Sequence, residues 1–439
     1  MTSRAIAIYG MGAAGVLVAA AAFSGPLADS RLTPVIPIGL LGLGLLVVFS
    51  VTRPAGVALL GFALLAVVKI EPAPVDVVFA TLIAVTLVTH SVRPRIPIEI
   101  EIILVMIAAL TLLSGINAID TRRAVTYGAI SMYLLALSVW LTWFFTNERA
   151  TRIAMRVYIA VAAISAVLVL LALYVHIPGG NTFLYDPYRG MGLFKDPNVY
   201  SAFLVPPAAI LLEEIGRPSL LPPRRLLTVP LFILLSGGTV VAFSRAAWLN
   251  LAIACFVVVV TSTLRRGGLR VAAKAVGGLA LAGACGLALL SATGSLDFLR
   301  QRSRLEAYDQ QRFGAQDAAF HRMTEHIFGH GPGQVETSIN MSTHSLFARS
   351  AFEQGVLGLA LVIVLIFATL ACAFAFARRD GRIGGVGSAA LLGSWLGLMA
   401  NSFFIDTIHW RHLYVVAALI WAGYMTRSAQ SDERALTTP

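Results

Sequence analysis

Apolar runs long enough to cross a bilayer, roughly 16–25 residues each, recur along this chain and constrain it more than any other feature. In hydrocarbon every backbone N–H and C=O must find a partner within the chain. Such runs therefore fold as helices packed on one another, not as an open sheet. The runs are 5–23, 34–51, 55–70, 74–90, 98–115, 124–146, 154–176, 198–214, 226–243, 246–263, 271–291, 351–377, 386–405 and 412–426, about fourteen in all. The third and fourth are short and flanked by proline, which leaves twelve to fourteen transmembrane helices. With 58% hydrophobic and 13% charged residues, the chain lacks the polar surface of a soluble domain of this length. The expected fold class is an all-α polytopic membrane protein, a single transmembrane domain over 1–439. The first run is followed by many others, so it reads as a span and not a cleaved signal peptide.

The net charge of +11 is explained by topology before nucleic acid. With the N-terminus inside, nineteen of the 33 Lys and Arg fall in inner loops, eight in outer loops and six in one long outer segment. Long loops cross largely regardless of charge, so the asymmetry places both termini in the cytoplasm. Cys255, Cys285 and Cys372 all sit in apolar runs with no metal-like spacing, and read as packing residues.

Two outer segments are longer than a simple connection: a short loop, 177–197, and a large one, 292–350. Long loops in compact proteins usually carry function. Within the second, Phe313, Phe320, Met323 and Ile327 recur at helical spacing and predict an amphipathic helix, broken by "GHGPG" at 329–333.

Ionisable residues gather on this outer side. Arg189 and Lys195 lie in "YRGMGLFKDPNVYSAF", where Asp196-Pro197-Asn198 reads as a helix start. A capped helix with two surface charges is the plain alternative. Arg245, in "FSRAAWLN", stands between two spans with almost no loop. Facing lipid it would cost about 2.5–3.5 kcal/mol, so it points into a polar cavity or snorkels outward. Arg312, His321, Arg322 and His326 sit on the expected loop helix, where solvated charges are the plain alternative. His344 opens "HSLFARSAFEQGVLGLALVIVLI". If it belongs to the following helix, it shares a face with Ala348, Ala351, Gly355 and Gly358. That small-residue stripe suits close packing of membrane helices. Its alternative role is structural, hydrogen-bonded to the loop. Guanidinium groups match phosphate oxygens in two-pronged geometry, and a histidine takes protons near neutral pH. No cluster of the Asp-x-Asp kind appears outside the runs, which argues against a donor held through a divalent metal. The combination fits a lipid-linked pyrophosphate donor attacked by a hydroxyl.

At these residues the chain resembles the O-antigen ligase family, which includes O-antigen polymerases. The ligase pattern is a histidine, then Asn, Ser or Gln, nine residues, a glycine, and a small residue three later. Here it runs His344, Ser345, 346–354, Gly355, Gly358. "FSRAAWL" is similar to the family's Ser-Arg-small element, "RGMGLFKDPNVYSAF" to its Arg…Gly…Pro-Asn element, and "RFGAQDAAFHRMTEHIFGHGPG" to its Arg, helix and Gly-x-Gly stretch. The likeness covers roughly 185–400 in order; the first 180 residues share only hydrophobic character. The resemblance implies a metal-independent, inverting glycosyltransferase of the GT-C type in the bacterial inner membrane, with its site facing the periplasm. It takes a glycan from undecaprenyl pyrophosphate to a hydroxyl acceptor, another glycan or lipid A core, and needs membrane lipid but no cofactor and no nucleic acid. By matching position, His344 is the base. Arg245, Arg312 and Arg189 hold the donor pyrophosphate. Lys195, Asn198 and Arg322 are further substrate contacts. The alternatives are a polysaccharide polymerase of the same family and a secondary transporter for a bicarbonate-like anion. The second predicts inverted repeats and midplane charges, and neither is evident.

Overall fold

The computed structural model describes residues 35–437 apart from 71, 90–95, 176, 223–224 and 293–306. The expected span 5–23 lies outside the described residues. The other thirteen expected spans coincide with helices. Among the described residues six helices are long and apolar enough to cross a bilayer, and four more are apolar but shorter. Large apolar side chains such as Val105, Leu112 and Phe367 stand exposed along these helices, as lipid-facing residues do. The chain is an all-α polytopic membrane protein.

Two compact units divide after Arg93. The first contains α1 (Val35–Thr52), α2 (Pro54–Ala63) and α3 (Pro74–Thr89). Pro54 starts α2, its missing N–H falling where no helical bond is needed. The expected span 55–70 is helical only as far as Ala63, and residues 64–66 turn.

The second unit carries everything of functional interest. Its helices are α4 (Ile98–Ser114), α5 (Thr121–Phe144), α6 (Glu148–Leu170), α7 (Pro197–Gly216), α8 (Arg225–Val240), α9 (Arg245–Ala292), α10 (Ala307–Arg322), α11 (Val335–Ile339), α12 (Leu346–Arg378), α13 (Ser388–Ser402) and α14 (Arg411–Thr437). Two small antiparallel hairpins interrupt them: β1 (Leu184–Asp186) with β2 (Arg189–Gly190), and β3 (Arg382–Ile383) with β4 (Val386–Gly387). Helix starts follow the sequence. Asp120, Asn147 and Asp196 each turn a side-chain oxygen onto a backbone N–H of the first turn of α5, α6 and α7. Helix α9 is broken at Gly268 (φ 72°), which separates the expected spans 246–263 and 271–291.

The core of this unit is α9 against α13. A Cβ on Gly393 would lie 2.6 Å from the Ala254 carbonyl, and one on Gly397 2.5 Å from that of Asn250. Small residues thus bring the two backbones together. One end of the bundle is tied by charge. Asp380 accepts from Arg265 at 2.6 Å and also from Arg217, and Arg382 donates to the Arg217 carbonyl at 3.2 Å. Helices α7 and α9 run from this end to the opposite one, where Asn198 and Arg245 begin them. Twenty helical residues cover about 30 Å.

At that opposite end the long loop is seated on α12. Phe352 is central to a small core with Ala319, Val335 and Ala348. Helix α10 therefore buries its alanine side, Ala315 and Ala319, while Phe313 and Phe320 stay partly exposed. The expected loop helix is present as α10 but is shorter at its C-terminal end. Its aromatic stripe does not face the core, and it ends at Arg322, so Met323 and Ile327 belong to turns. Helix α12 is itself broken at Gly355 (φ 70°, ψ −167°). The carbonyls of Phe352 and Glu353, just before the break, accept from the backbone N–H groups of His330 and Gly331, each at 3.0 Å. "GHGPG" supplies the donors that the interrupted helix lacks. The fit leaves no room for side chains. A Cβ on Gly355 would meet the Ile327 carbonyl at 2.7 Å, and one on Gly329 (φ 82°) would strike the Glu353 carbonyl.

Gly329→Ala should accordingly lower stability by at least about 1–3 kcal/mol, the cost of a strained backbone before any clash. Gly314 has open space around it inside α10, so Gly314→Ala should be neutral or gain about 0.5–1 kcal/mol. Thermal unfolding of the two variants in detergent checks the contrast, and equal melting temperatures would contradict this account of the seat.

Candidate active site

A cavity of about 540 Å³ opens at this end of the second unit. Arg189, Arg245, Arg312 and His344 all line it, although 155 residues separate the first from the last. Asn198 lines it as well.

Each is placed by local structure. Arg189 sits on β2, with its guanidinium 5.3 Å from the centre of the Tyr185 ring on β1. Its Nε donates to the Ala242 carbonyl at 3.3 Å, and the Gly190 N–H donates to that of Val241 at 3.1 Å. The hairpin is thereby strapped to the turn ahead of Arg245. That turn contains Phe243 in the left-handed region (φ 51°), an uncommon place for a residue with a side chain. Asp196 caps α7, and the next polar residue on the cavity wall, Asn198, accepts a 2.6 Å hydrogen bond from the Ser244 hydroxyl. Helix α7 and the start of α9 are thus fixed side by side.

Arg245 opens α9 and donates to Asp309 of α10 at 2.5 Å. Arg312, one turn further along α10, lies 3.9 Å from the same carboxylate oxygen and also donates to the Phe404 carbonyl. Gln316, the next turn, donates to the Thr343 carbonyl at 2.9 Å, directly beside His344. One face of α10 therefore positions two groups of the wall and touches a third.

His344 is not part of the helix that follows it. Helix α12 begins at Leu346, Ser345 is its N-cap, and His344 has φ 46°. The expected common stripe with Ala348, Ala351, Gly355 and Gly358 is corrected on two counts. The histidine precedes the helix, and the helix is interrupted at Gly355. The residues of the stripe are nonetheless all buried. The polar residue after the histidine is there to cap, and the glycine eleven residues on is there to break. Burial, and next the positive Arg312, hold the His344 imidazole below its ordinary pKa of 6.5, against the opposing pull of Asp196 and Asp406. The neutral ring, which has a lone pair to accept a proton, is favoured.

Lys195 is exposed and does not line the cavity. Nor does Arg322, which pairs with Glu325 at 3.1 Å and lies 5.2 Å from the Phe352 ring centre, where it pins the loop. Asp309, Tyr185, Gln316 and Phe404 line the cavity and were not singled out in the sequence. Asp309 carried one signal, an acid three residues before Arg312. Phe404 contributes a backbone oxygen, which leaves no trace in residue type.

Residues 230–363 match a family model described as O-Antigen ligase. Over this segment, about a third of its length, the chain is similar to the O-antigen ligase family. The O-antigen ligase match begins inside α8 and ends inside α12, so it contains Arg245, Arg312 and His344 and the whole interlock around Gly355. Arg189 and Asn198 lie ahead of it. No curated protein gave a match to the chain.

Proposed function

We propose that this protein is a metal-independent, inverting glycosyltransferase of the GT-C type, moving a glycan from undecaprenyl pyrophosphate to a hydroxyl acceptor such as lipid A core. The observation that carries the reading is the convergence of three guanidinium groups and one imidazole, from three elements and the segment ahead of α12, on a single cavity at the end of a membrane bundle. Guanidinium forks suit a diphosphate, whose charge grows as its bond to the sugar breaks. The donor's lipid tail stays in the bilayer while its headgroup enters the cavity. His344 takes the proton of the acceptor hydroxyl as that oxygen attacks the anomeric carbon from the face opposite the leaving pyrophosphate. One direct displacement inverts the anomeric centre. Arg217, Arg265 and Arg382, expected in the cytoplasm, gather at the bundle end opposite Arg245. This supports a bacterial inner-membrane protein with its cavity toward the periplasm and both termini in the cytoplasm.

Purified protein in nanodiscs, supplied with polyprenyl-pyrophosphate-linked glycan and either lipid A core or a second lipid-linked glycan, tests the reading. Transfer to lipid A core, unaffected by EDTA, is the expected result. Transfer only onto the second lipid-linked glycan makes the protein a polymerase. Collapse with EDTA and recovery with magnesium would remove the arginine-based mechanism. Anion flux in liposomes without any glycan would replace it with transport.

The imidazole's environment adds a pH dependence. The reaction needs His344 neutral, and its pKa lies below 6.5, so activity is kept at neutral pH and lost only as pH falls through that lowered value. The acid limb of kcat/KM should have its midpoint below pH 6.5. Asp196→Asn removes a group that holds the proton on, and should move the limb lower still. A limb that stays in place with Asp196 neutralised would detach it from His344.

A further inference from the structure

We propose that Asp309 is a positioning residue that sets the guanidinium groups of Arg245 and Arg312 for a diphosphate, an inference that rests on reading the cavity as a pyrophosphate site. One carboxylate oxygen of Asp309 lies 2.5 Å from Nη2 of Arg245 and 3.9 Å from Nη1 of Arg312. Two like charges that would otherwise repel are brought to one point by the anion between them. The side chains are 6%, 34% and 16% exposed in that order, so the carboxylate is the deepest of the three. It is the most enclosed of the three groups on the cavity wall, and from there it orients the guanidinium groups. Its position on α10 matters too. The loop helix is seated on α12 through Ala319, and the Asp309–Arg245 pair joins that helix to the start of α9. Arginines from two elements are thereby tied to one carboxylate, an arrangement that two phosphates joined by a short bridge can use together and a single phosphate cannot. Counting Arg189, Arg245 and Arg312 against Asp196 and Asp309, the wall keeps one net positive charge.

The competing role for such a carboxylate is a placeholder that occupies the anion site until the donor displaces it. The two roles give opposite signs. A placeholder made neutral lets anions bind more tightly, whereas a positioning residue made neutral lets the forks drift. The experiment measures binding of inorganic pyrophosphate and of inorganic phosphate to the purified full chain in nanodiscs. Wild type, Asp309→Asn and Asp309→Glu are compared, each checked for monodispersity and melting temperature. Asp309→Asn should weaken pyrophosphate binding by about tenfold or more, as expected for the loss of one charge-assisted hydrogen bond that aligns a fork. Phosphate binding should fall much less, so the pyrophosphate-to-phosphate preference should drop. Asp309→Glu keeps the charge and should recover part of that preference. In donor turnover the loss should appear in KM more than in kcat. Tighter pyrophosphate binding by Asp309→Asn, or an unchanged preference in a folded variant, overturns the proposal. Should the amide variant not fold, an Asp309→Glu protein with wild-type preference and wild-type KM overturns it equally, because one methylene must shift the forks if the carboxylate sets them. A wild-type protein that binds no pyrophosphate and uses no lipid-linked donor is a different failure: it removes the reading of the cavity itself.

Discussion

Replacing His344 should lower glycan transfer by about 10²–10⁴-fold while donor binding persists, because a positioned general base contributes on that scale. The arginines that would grip the diphosphate are held by Asp309, by the Ala242 and Phe404 carbonyls and by their own helices, none of which depends on the imidazole. Alanine is not the cleanest replacement. His344 has a positive φ, and a non-glycine residue there is under strain that asparagine tolerates better than alanine. His344→Asn removes the base and keeps the backbone, so it and His344→Ala should lose transfer alike, with the asparagine variant the more stable. The measurement is single-turnover transfer beside donor affinity in the same nanodisc preparation. Near-normal transfer by the folded asparagine variant would take His344 out of the mechanism. Loss of donor affinity equal to the loss of rate would make it a binding residue instead.

Replacing Arg349 should be the most damaging single change to the fold. Its side chain is 4% exposed and meets three carboxylates: Glu336 of α11, Glu353 one turn along α12 at 2.7 Å, and Asp406 between α13 and α14 at 2.5 Å. Glu336 is held in turn by Arg123 of α5 at 3.3 Å. Arg349→Met fills much of the same volume but leaves one buried acid, Glu353, and two half-buried ones, Glu336 and Asp406, without their shared cation. Breaking a buried pair from one side typically costs about 3–5 kcal/mol. The partly exposed Arg322–Glu325 pair provides the comparison, since surface ion pairs are worth about 0–1 kcal/mol. Arg349→Met should therefore fall far below Arg322→Met in melting temperature and in yield of monodisperse protein. Adding Glu353→Gln and Asp406→Asn to Arg349→Met should recover part of the loss, since fewer buried charges are then left over. Equal stability of the two single variants would show that the cluster is no keystone. Activity should fall with stability, because Asp406 adjoins Phe404 and Ile405 on the cavity wall.

How far each residue could be read in advance depended on how local its reason was. The helices were legible because a bilayer enforces a length and an apolar composition on every crossing, and both are written residue by residue. The start of α7 was legible because Asp196-Pro197 acts within one turn. Arg245 stood out because a guanidinium at a span boundary needs a reason to be kept. His344 stood out through its spacing to Gly355, though the helical stripe drawn through both was wrong. The spacing marks a cap and a break, and a continuous periodicity of 3.6 crosses neither. Aromatic residues at helical spacing usually mark a buried side, but on α10 Ala315 and Ala319 are buried while Phe313 and Phe320 stay exposed, a choice made by packing against Phe352 and its neighbours. Lys195 and Arg322 share the charge and the neighbourhood of the wall residues, and nothing short of chain direction separates them.

By itself the sequence determined the class of the protein and the order of its described spans, since each follows from interactions within a turn or from the solvent around it. Tertiary structure alone decided that Arg189, Arg245, Arg312 and His344 face one cavity, that Asp309 pairs with two of them, and that Arg349 binds acids from three separate segments. Those facts depend on pairs such as Arg245 with Asp309 and Arg349 with Asp406, 64 and 57 residues apart. A contact at that separation is set by how helices pack, and packing is a property of the whole bundle.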